Sequence, residues 1–193
     1  MSAELSNNQQ DAEKRYIEHE ALTQNLAKVS RASKPVPVDD FVLQQSEGTI
    51  KLSECFEGKR DLIVIYNMGI GCPYCTVWAD GINGVQAHMR DRAGLVLISA
   101  DDMETLAKTC REREWKFPVA ANADSGFFAA MGMDPNGTGE PWPGMSTFHL
   151  NESGGIEHIS TESFGPFDLF SPLWHFIGRL KDGVDGWKPR VEY

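Results

Sequence analysis

The sequence is short of the features that mark several whole classes of protein. No apolar run approaches the roughly 20 residues that a membrane-crossing helix needs. The first thirty residues, MSAELSNNQQDAEKRYIEHEALTQNLAKVS, are polar and lack the apolar core of a secretory leader. A cytosolic, cytoplasmic protein with no membrane partner is expected. Positive charge is short as well: 18 Lys and Arg against 28 Asp and Glu leave a formal net charge of -10. No local basic cluster offsets it, which argues against a grip on the phosphates of a nucleic acid. Cysteine is scarce. Cys55, Cys72, Cys75 and Cys110 are too few to staple a chain of 193 residues, and a reducing compartment would keep structural pairs open, so any disulfide is expected to be transient. Metal ligands are sparse too, with one Cys-x-x-Cys and no His-x-x-x-His, where a closed tetrahedral site needs about four ligands.

What is present suits one globular core. Hydrophobic residues make up 41% and charged residues 24% of the chain, which fits neither wholesale disorder nor a fibrous repeat. Residues 9–30 are good helix formers, with Leu22, Leu26 and Val29 at helical spacing beside Tyr16 and Ile17. Residues 31–40, RASKPVPVDD, read as an extended connector. The expected division is therefore 1–38, an N-terminal helix and Pro-containing connector, and 39–193, a compact domain. The helix can dock on its own domain or against a second copy, as a homodimer contact.

In the domain, FVLQQSEGTIKL reads as two short strands around a Ser-Glu-Gly turn, and DLIVIYNM as a strand buried on both faces. Trp78, Ile82, Val85 and Met89 mark one face of a helix. GLVLISAD gives a second buried strand, followed by a helix carrying Met103, Leu106, Ala107 and Cys110 on one face. That strand–helix–strand unit predicts parallel pairing. FPVAAN reads as a short strand, SGFFAAMGM as a short helix and residues 134–144 as a loop. MSTFHL and IEHIST predict an antiparallel hairpin, and Phe170, Trp174, Ile177 and Leu180 a terminal helix.

The chemistry centres on IGCPYCTVWAD, residues 70–80. A thiolate attacks a disulfide, and a second thiol must stand close enough to resolve the mixed disulfide. A Cys-x-x-Cys at a helix start supplies both, because the unpaired amides and positive dipole end of the helix stabilise the first thiolate. Cys72 is the expected nucleophile and Cys75, one turn on and more buried, the resolving thiol. Pro73 suits the first helical turn, where a missing amide donor costs nothing.

The order of strand, CPYC, helix, strand, helix, hairpin and terminal helix resembles the thioredoxin fold, and CPYC is the dithiol typical of glutaredoxins. The flanks FVLQQSEGTIKLSECFEGKRDLIVIYNM and ISADDMETLAKTCREREWKFPVAANADSGFFAAMGM are similar in layout to the peroxiredoxin-like group, which includes alkyl hydroperoxide reductase proteins. GCPYCTVWAD with the later GMSTFHLN resembles, over roughly residues 15–180, the thioredoxin-like family catalogued as domain of unknown function 899. The resemblance implies an α/β thioredoxin-like fold, with a central mixed sheet flanked by helices and an N-terminal helical extension. The chain also departs from these relatives. Aligning GMSTFHL on the thioredoxin hairpin strand puts Ser146 where thioredoxins carry a cis-proline, and Tyr66 falls where they bury an aspartate. The Pro-x-x-x-Thr-x-x-Cys of peroxiredoxins is absent: Cys72 takes the threonine position before Cys75, and Gly69 takes it before Cys72. The Thr-Val-Pro with which glutaredoxins bind glutathione is absent too.

The expected activity is thiol–disulfide exchange on a protein or small-molecule disulfide or thiol, without a bound cofactor or metal. The alternative is a non-catalytic protein binding a metal or a partner at the same face. Pro73, Tyr74, Met145, Ser146 and Trp142 are the expected substrate-binding residues, with Met145 and Ser146 across from the dithiol and Trp142 as a stiff aromatic tip between two prolines. Trp78 reads as core, Asp80 as an exposed helical carboxylate, and Cys110 and Cys55 as small buried hydrophobes. His149 and His158 flank the hairpin, close enough in sequence to approach each other across it.

Overall fold

The computed structural model describes residues 2–122, 126–137 and 141–193. Part of the predicted 134–144 loop, residues 138–140, and Ser125 at the head of the predicted short helix lie outside the described residues. The chain divides into two units, residues 1–35 and 36–193. The first is helix α1 (Ser2–Ser30), longer at its N-terminus than the sequence pattern suggested.

The second unit is built on one eight-stranded mixed sheet. Its strands are β1 (Val36–Val38), β2 (Val42–Gln45), β3 (Gly48–Lys51), β4 (Asp61–Asn67), β5 (Gly94–Ser99), β6 (Val119–Ala121), β7 (Gly144–Leu150) and β8 (Ile156–Ser163), in the order β1-β8-β7-β4-β5-β6-β2-β3. The two apolar runs behave as their composition requires. β4 and β5 pair in parallel, Leu62 opposite Gly94 through Asn67 opposite Ser99, and β5 pairs in parallel with β6. β7 lies antiparallel on the other side of β4, and the β7–β8 hairpin is antiparallel with an irregularity between Thr147 and Phe148. The Ser-Glu turn joins β2 to β3 as expected. One difference concerns the connector. Val36–Val38 does not merely link the units; it pairs with β8, Val36 opposite His158, as an edge strand. Pro37 is tolerated there because an edge strand has one row of main-chain groups outside the ladder.

Strand alternation sorts the core into two layers. Leu62, Val64, Tyr66, Val96, Ile98 and Phe148 point to one face, against Phe56 of the 3-10 turn Leu52–Phe56 and Phe127 and Phe128 of α4 (Phe127–Ala130). Ile65, Leu95 and Leu97 point to the other, against Cys75, Trp78 and Ile82 of α2 (Pro73–Arg92) and Leu106 of α3 (Met103–Glu112). The side chain of Asp102 caps α3 by accepting from the Thr105 amide at 2.7 Å. Because α2 follows β4 directly, its N-terminus stands at the C-terminal edge of the most buried strand pair.

The terminal helix is shorter than its stripe predicted. α5 spans Pro172–Ile177 and stops at Gly178, a residue that weakens helices by about 1 kcal/mol. Trp174 is buried, but Leu180, the last residue of the stripe, is 63% exposed beyond the helix end.

Close packing at the start of β5 can be tested at one atom. A Cβ on Gly94 would lie 2.4 Å from the Cys55 carbonyl oxygen and 2.8 Å from Phe56 Cα, both main-chain positions. Overpacking of a rigid contact costs about 1–3 kcal/mol. Gly94→Ala is therefore expected to lower the unfolding free energy by that amount, seen as a lower denaturant midpoint with an unchanged slope, and a midpoint equal to wild type would refute the contact.

Candidate active site

The loop before the cysteines is shaped by a polar network that the sequence reading missed. Asn67, the buried last residue of β4, accepts from the Gly69 amide through Oδ1 at 2.7 Å. Asp101 Oδ2 accepts from the Ile70 amide at 2.9 Å and from Ser99 Oγ at 3.1 Å. Gly69 has φ 107°, a conformation costly for any residue with a side chain, and a Cβ there would meet Asp101 Oδ1 at 2.6 Å. The carboxylate and the missing side chain together bring the backbone tightly round to Cys72. The signals were present as Gly-Ile-Gly before the first cysteine and Ser-Ala-Asp after β5, but only the parallel pairing of β4 and β5 brings them together.

Cys72 is the N-cap of α2 and Pro73 its first residue. The Cys75 amide donates to Cys72 Sγ at 3.2 Å. Sulfur thus takes the capping role usually filled by a Ser, Thr, Asp or Asn oxygen. The Cys75 thiol hydrogen bond lowers the Cys72 pKa most, the Cys75 and Tyr74 amides add to it against partial burial, and the result is about 6 from an ordinary 9.0. Cys75 moves the other way. Donating to Cys72 and being buried both push its thiol up. The pair therefore holds one proton on the inner sulfur and a charge on the outer, partly exposed one.

Cys72 opens onto a groove of about 470 Å³ lined by Met68, Tyr74, Trp78, Trp142, Pro143 and Phe164 among others. Tyr74 stacks on Trp174 at 6.0 Å between ring centres, and Trp78 packs on Phe164 at 5.2 Å. Trp142 stands at the rim with 56% of its surface exposed.

The expected substrate residues separate. Cys72, Tyr74 and Trp142 line one groove, Pro73 starts the helix beside it, and Met145 packs in the same apolar layer as Cys72 and Cys75. Ser146 does not lie across from the dithiol. It follows Met145 in a strand, so its side chain points to the opposite face. There it is fully buried, and its hydroxyl pairs with Thr161 Oγ1 at 2.8 Å. A proline does line the groove with Cys72: Pro143, immediately before β7. Pro-Trp-Pro in the sequence was the signal for it. Tyr66 likewise faces away, buried against Phe127 and Phe128, and burial pushes its hydroxyl pKa up.

Other residues found definite places. Asp80 is an anchor and not a free surface carboxylate, accepting from Arg113 Nη1 and from Trp115 Nε1, each at 2.8 Å. His149 and His158 do not meet. The first pairs with Asp61 at 2.6 Å, and the second bonds Thr161 Oγ1 at 2.8 Å on the far side of the strand. Cys55 is buried on the face opposite the dithiol, its pKa pushed to about 12 by burial and by nearby Glu54, Glu57 and Asp40. Burial raises the Cys110 thiol as well. Among the described residues, no three His, Cys, Asp or Glu side chains stand together as metal ligands.

Residues 3–185 match the family described as bacterial protein of unknown function (DUF899). The chain belongs to that family. No curated protein matches it. Among solved structures, it is similar to the peroxidoxin BcpB of Mycobacterium tuberculosis, at 22% identity and TM-score 0.54 over 67% of this chain and 84% of that one. Reduced Prx3 of Vibrio vulnificus, solved with hydrogen peroxide, gives 14% identity and TM-score 0.52 over 70% and 87%. A hypothetical protein of Sinorhizobium meliloti 1021 gives 12% and 0.53 over 82% and 87%. This DUF899 member therefore has a thioredoxin-like fold, similar to that of these solved peroxiredoxins. In addition, no helix among its described residues is long and apolar enough to cross a membrane.

The capping arrangement predicts a titration. Cys72 should alkylate with a midpoint near about 6, and Cys75→Ala, which removes the thiol donor but keeps the amide, should raise that midpoint. A lowered folded pKa adds stability once the pH rises above it, because the folded thiol is then ionised while the unfolded one still holds its proton. Below pH 6 Cys72 is protonated in both states and contributes nothing. Across pH 6 to 9 the stability of reduced protein relative to Cys72→Ser should rise. A flat difference across that window would show that Cys72 carries no stabilised charge.

Proposed function

We propose that this protein is a thiol–disulfide oxidoreductase in which Cys72 is the nucleophile and Cys75 the resolving thiol. The observation that carries the reading is the opposite treatment of two cysteines three residues apart. One is a partly exposed helix-capping sulfur with its pKa lowered to about 6, the other a buried proton donor to it. A structural pair of thiols has no need of such a difference, whereas disulfide exchange needs a thiolate outside and a protected thiol within reach.

The steps balance without a cofactor. Cys72 thiolate attacks one sulfur of a disulfide, a new S–S bond forms, and the first substrate thiolate leaves and takes a proton from water. The charge that held the Cys75 proton is then gone, and so is the hydrogen bond that raised its pKa. Cys75 loses its proton to solvent and attacks Cys72 Sγ, releasing the second substrate thiol. The dithiol gives up two electrons and becomes the Cys72–Cys75 disulfide, while the substrate becomes two thiols. Water is the proton acceptor because Tyr66, at the position of the thioredoxin aspartate, faces the other layer.

The alternative, a non-catalytic protein that binds a metal or a partner at this face, predicts a different outcome from one experiment. Reduced protein is mixed with a chromogenic disulfide and the released thiol is counted. Two thiols per dithiol are expected from wild type. Cys75→Ser should release one and keep the other half as a mixed disulfide visible by mass, and Cys72→Ser should release none at the same rate. Equal release from the two variants would remove the assignment of roles, and no release from wild type would remove the oxidoreductase.

A further inference from the structure

The groove beside Cys72 has two properties that bear on what it accepts. Among its described lining residues none but the Cys72 thiolate is charged. A charged group seated there would lose water without gaining a partner, and an anion would also face the Cys72 thiolate. The second property is in the main chain. Two segments line the groove beside Cys72, residues 141–143 and 164–166, and all six of their amide positions can be accounted for. Pro141, Pro143 and Pro166 have no N–H. The Trp142 amide donates to the Met133 carbonyl at 2.6 Å, and the Phe164 amide to the Pro143 carbonyl at 2.8 Å. The Gly165 amide donates to Asp168 Oδ2 at 2.9 Å. No amide in the wall is left to pair with an extended polypeptide, which is recognised at a strand edge chiefly through such bonds. What the wall does offer is apolar surface, with Trp142 56% exposed and Met68 38% exposed.

Resting on the oxidoreductase reading, we infer that the substrate is a neutral, apolar, low-molecular-weight disulfide, held by aromatic and proline side chains, and that anionic disulfides and polypeptide disulfides are discriminated against. The groove volume of about 470 Å³ lies within the range of small-molecule sites, about 300–1,000 Å³. Exchange proceeds as above, Cys72 taking one half of the substrate into the mixed disulfide while the groove holds its apolar group.

The test compares second-order rates of reduced full-length protein with neutral dithiodipyridine, doubly anionic dithiobis(nitrobenzoate), oxidised glutathione and insulin, each divided by its rate with mercaptoethanol at the same thiolate concentration. The neutral reagent is expected to lead the dianion by about tenfold or more, the scale at which an apolar pocket discriminates, with glutathione disulfide and insulin slower still. Trp142→Ala should reduce that lead. Met68→Arg, which puts a cation into the wall, should raise the dianion's rate severalfold without raising the neutral reagent's, a selective gain that thiols exposed by misfolding would not give. Normalised rates equal for neutral and anionic reagents, a dianion rate unmoved by Met68→Arg, or insulin fastest of all would each overturn the inference while leaving the oxidoreductase standing. If Cys72 alkylates with iodoacetamide but exchanges with none of the four, it is the oxidoreductase reading that fails, and this inference falls with it.

Discussion

A single hydrogen bond organises the site: the Cys75 amide donating to Cys72 Sγ at 3.2 Å across the first turn of α2. It fixes Cys72 Sγ at the only place on a helix where several main-chain donors lack intrahelical partners. Its strength depends on the charge of the sulfur, since donation to an ionised acceptor is roughly twice as strong as a neutral bond. Helix start and thiolate therefore stabilise each other. Everything upstream serves to deliver Cys72 to that point. β4 is gripped on both sides by β5 and β7, and Asn67 and Asp101 fold the following loop so that the chain turns directly into the helix.

The sheet then decides which neighbours the dithiol can have. Because side chains alternate along a strand, a one-residue difference in position is a change of layer. Met145 and Ser146 show the consequence: the first packs with the cysteines and the second is buried against Thr161 on the other face. Tyr66 and Ile65 divide in the same way on β4. The dithiol layer is thus apolar and aromatic. Polar hairpin residues such as Ser146, Thr161 and His158 form their own network away from it.

Much of the fold was legible because its signals are local. Apolar runs of six to eight residues gave β4 and β5, spacing of three and four gave α2 and α3, and the Cys-Pro-Tyr-Cys step between strand and helix gave the start of α2. The site's surroundings were less so, because they depend on register. Pro143 rather than Ser146 lines the groove with Cys72, and that follows from where β7 begins. The hydrophobic pattern of MSTFHL leaves this undetermined by a residue or two. Asp101 is 31 positions from Ile70 and reaches it only through the parallel pairing of β4 with β5. The edge strand Val36–Val38 has no periodicity of its own, since three residues around a proline carry too little pattern. Leu180 erred in the other direction. Its spacing extended a helix that Gly178 ends.

The four cysteines show how far environment outweighs residue type. Cys55 lies under the sheet, with three carboxylates near enough to oppose its ionisation, and its thiol donates to the Lys51 carbonyl at 3.6 Å. Cys110 is half-buried on α3, where burial outweighs the nearby Arg111. Cys75 touches the same helix start as Cys72 but donates its proton to its neighbour. Only Cys72 combines partial exposure with amides aimed at its sulfur. The same reasoning explains why a protein with a net charge of -10 can hold a thiolate at all. Surface carboxylates more than a Debye length of about 10 Å away are screened by salt, whereas the amides act at hydrogen-bond distance in a groove whose described lining carries no other charge. The local dipoles therefore set the charge of Cys72.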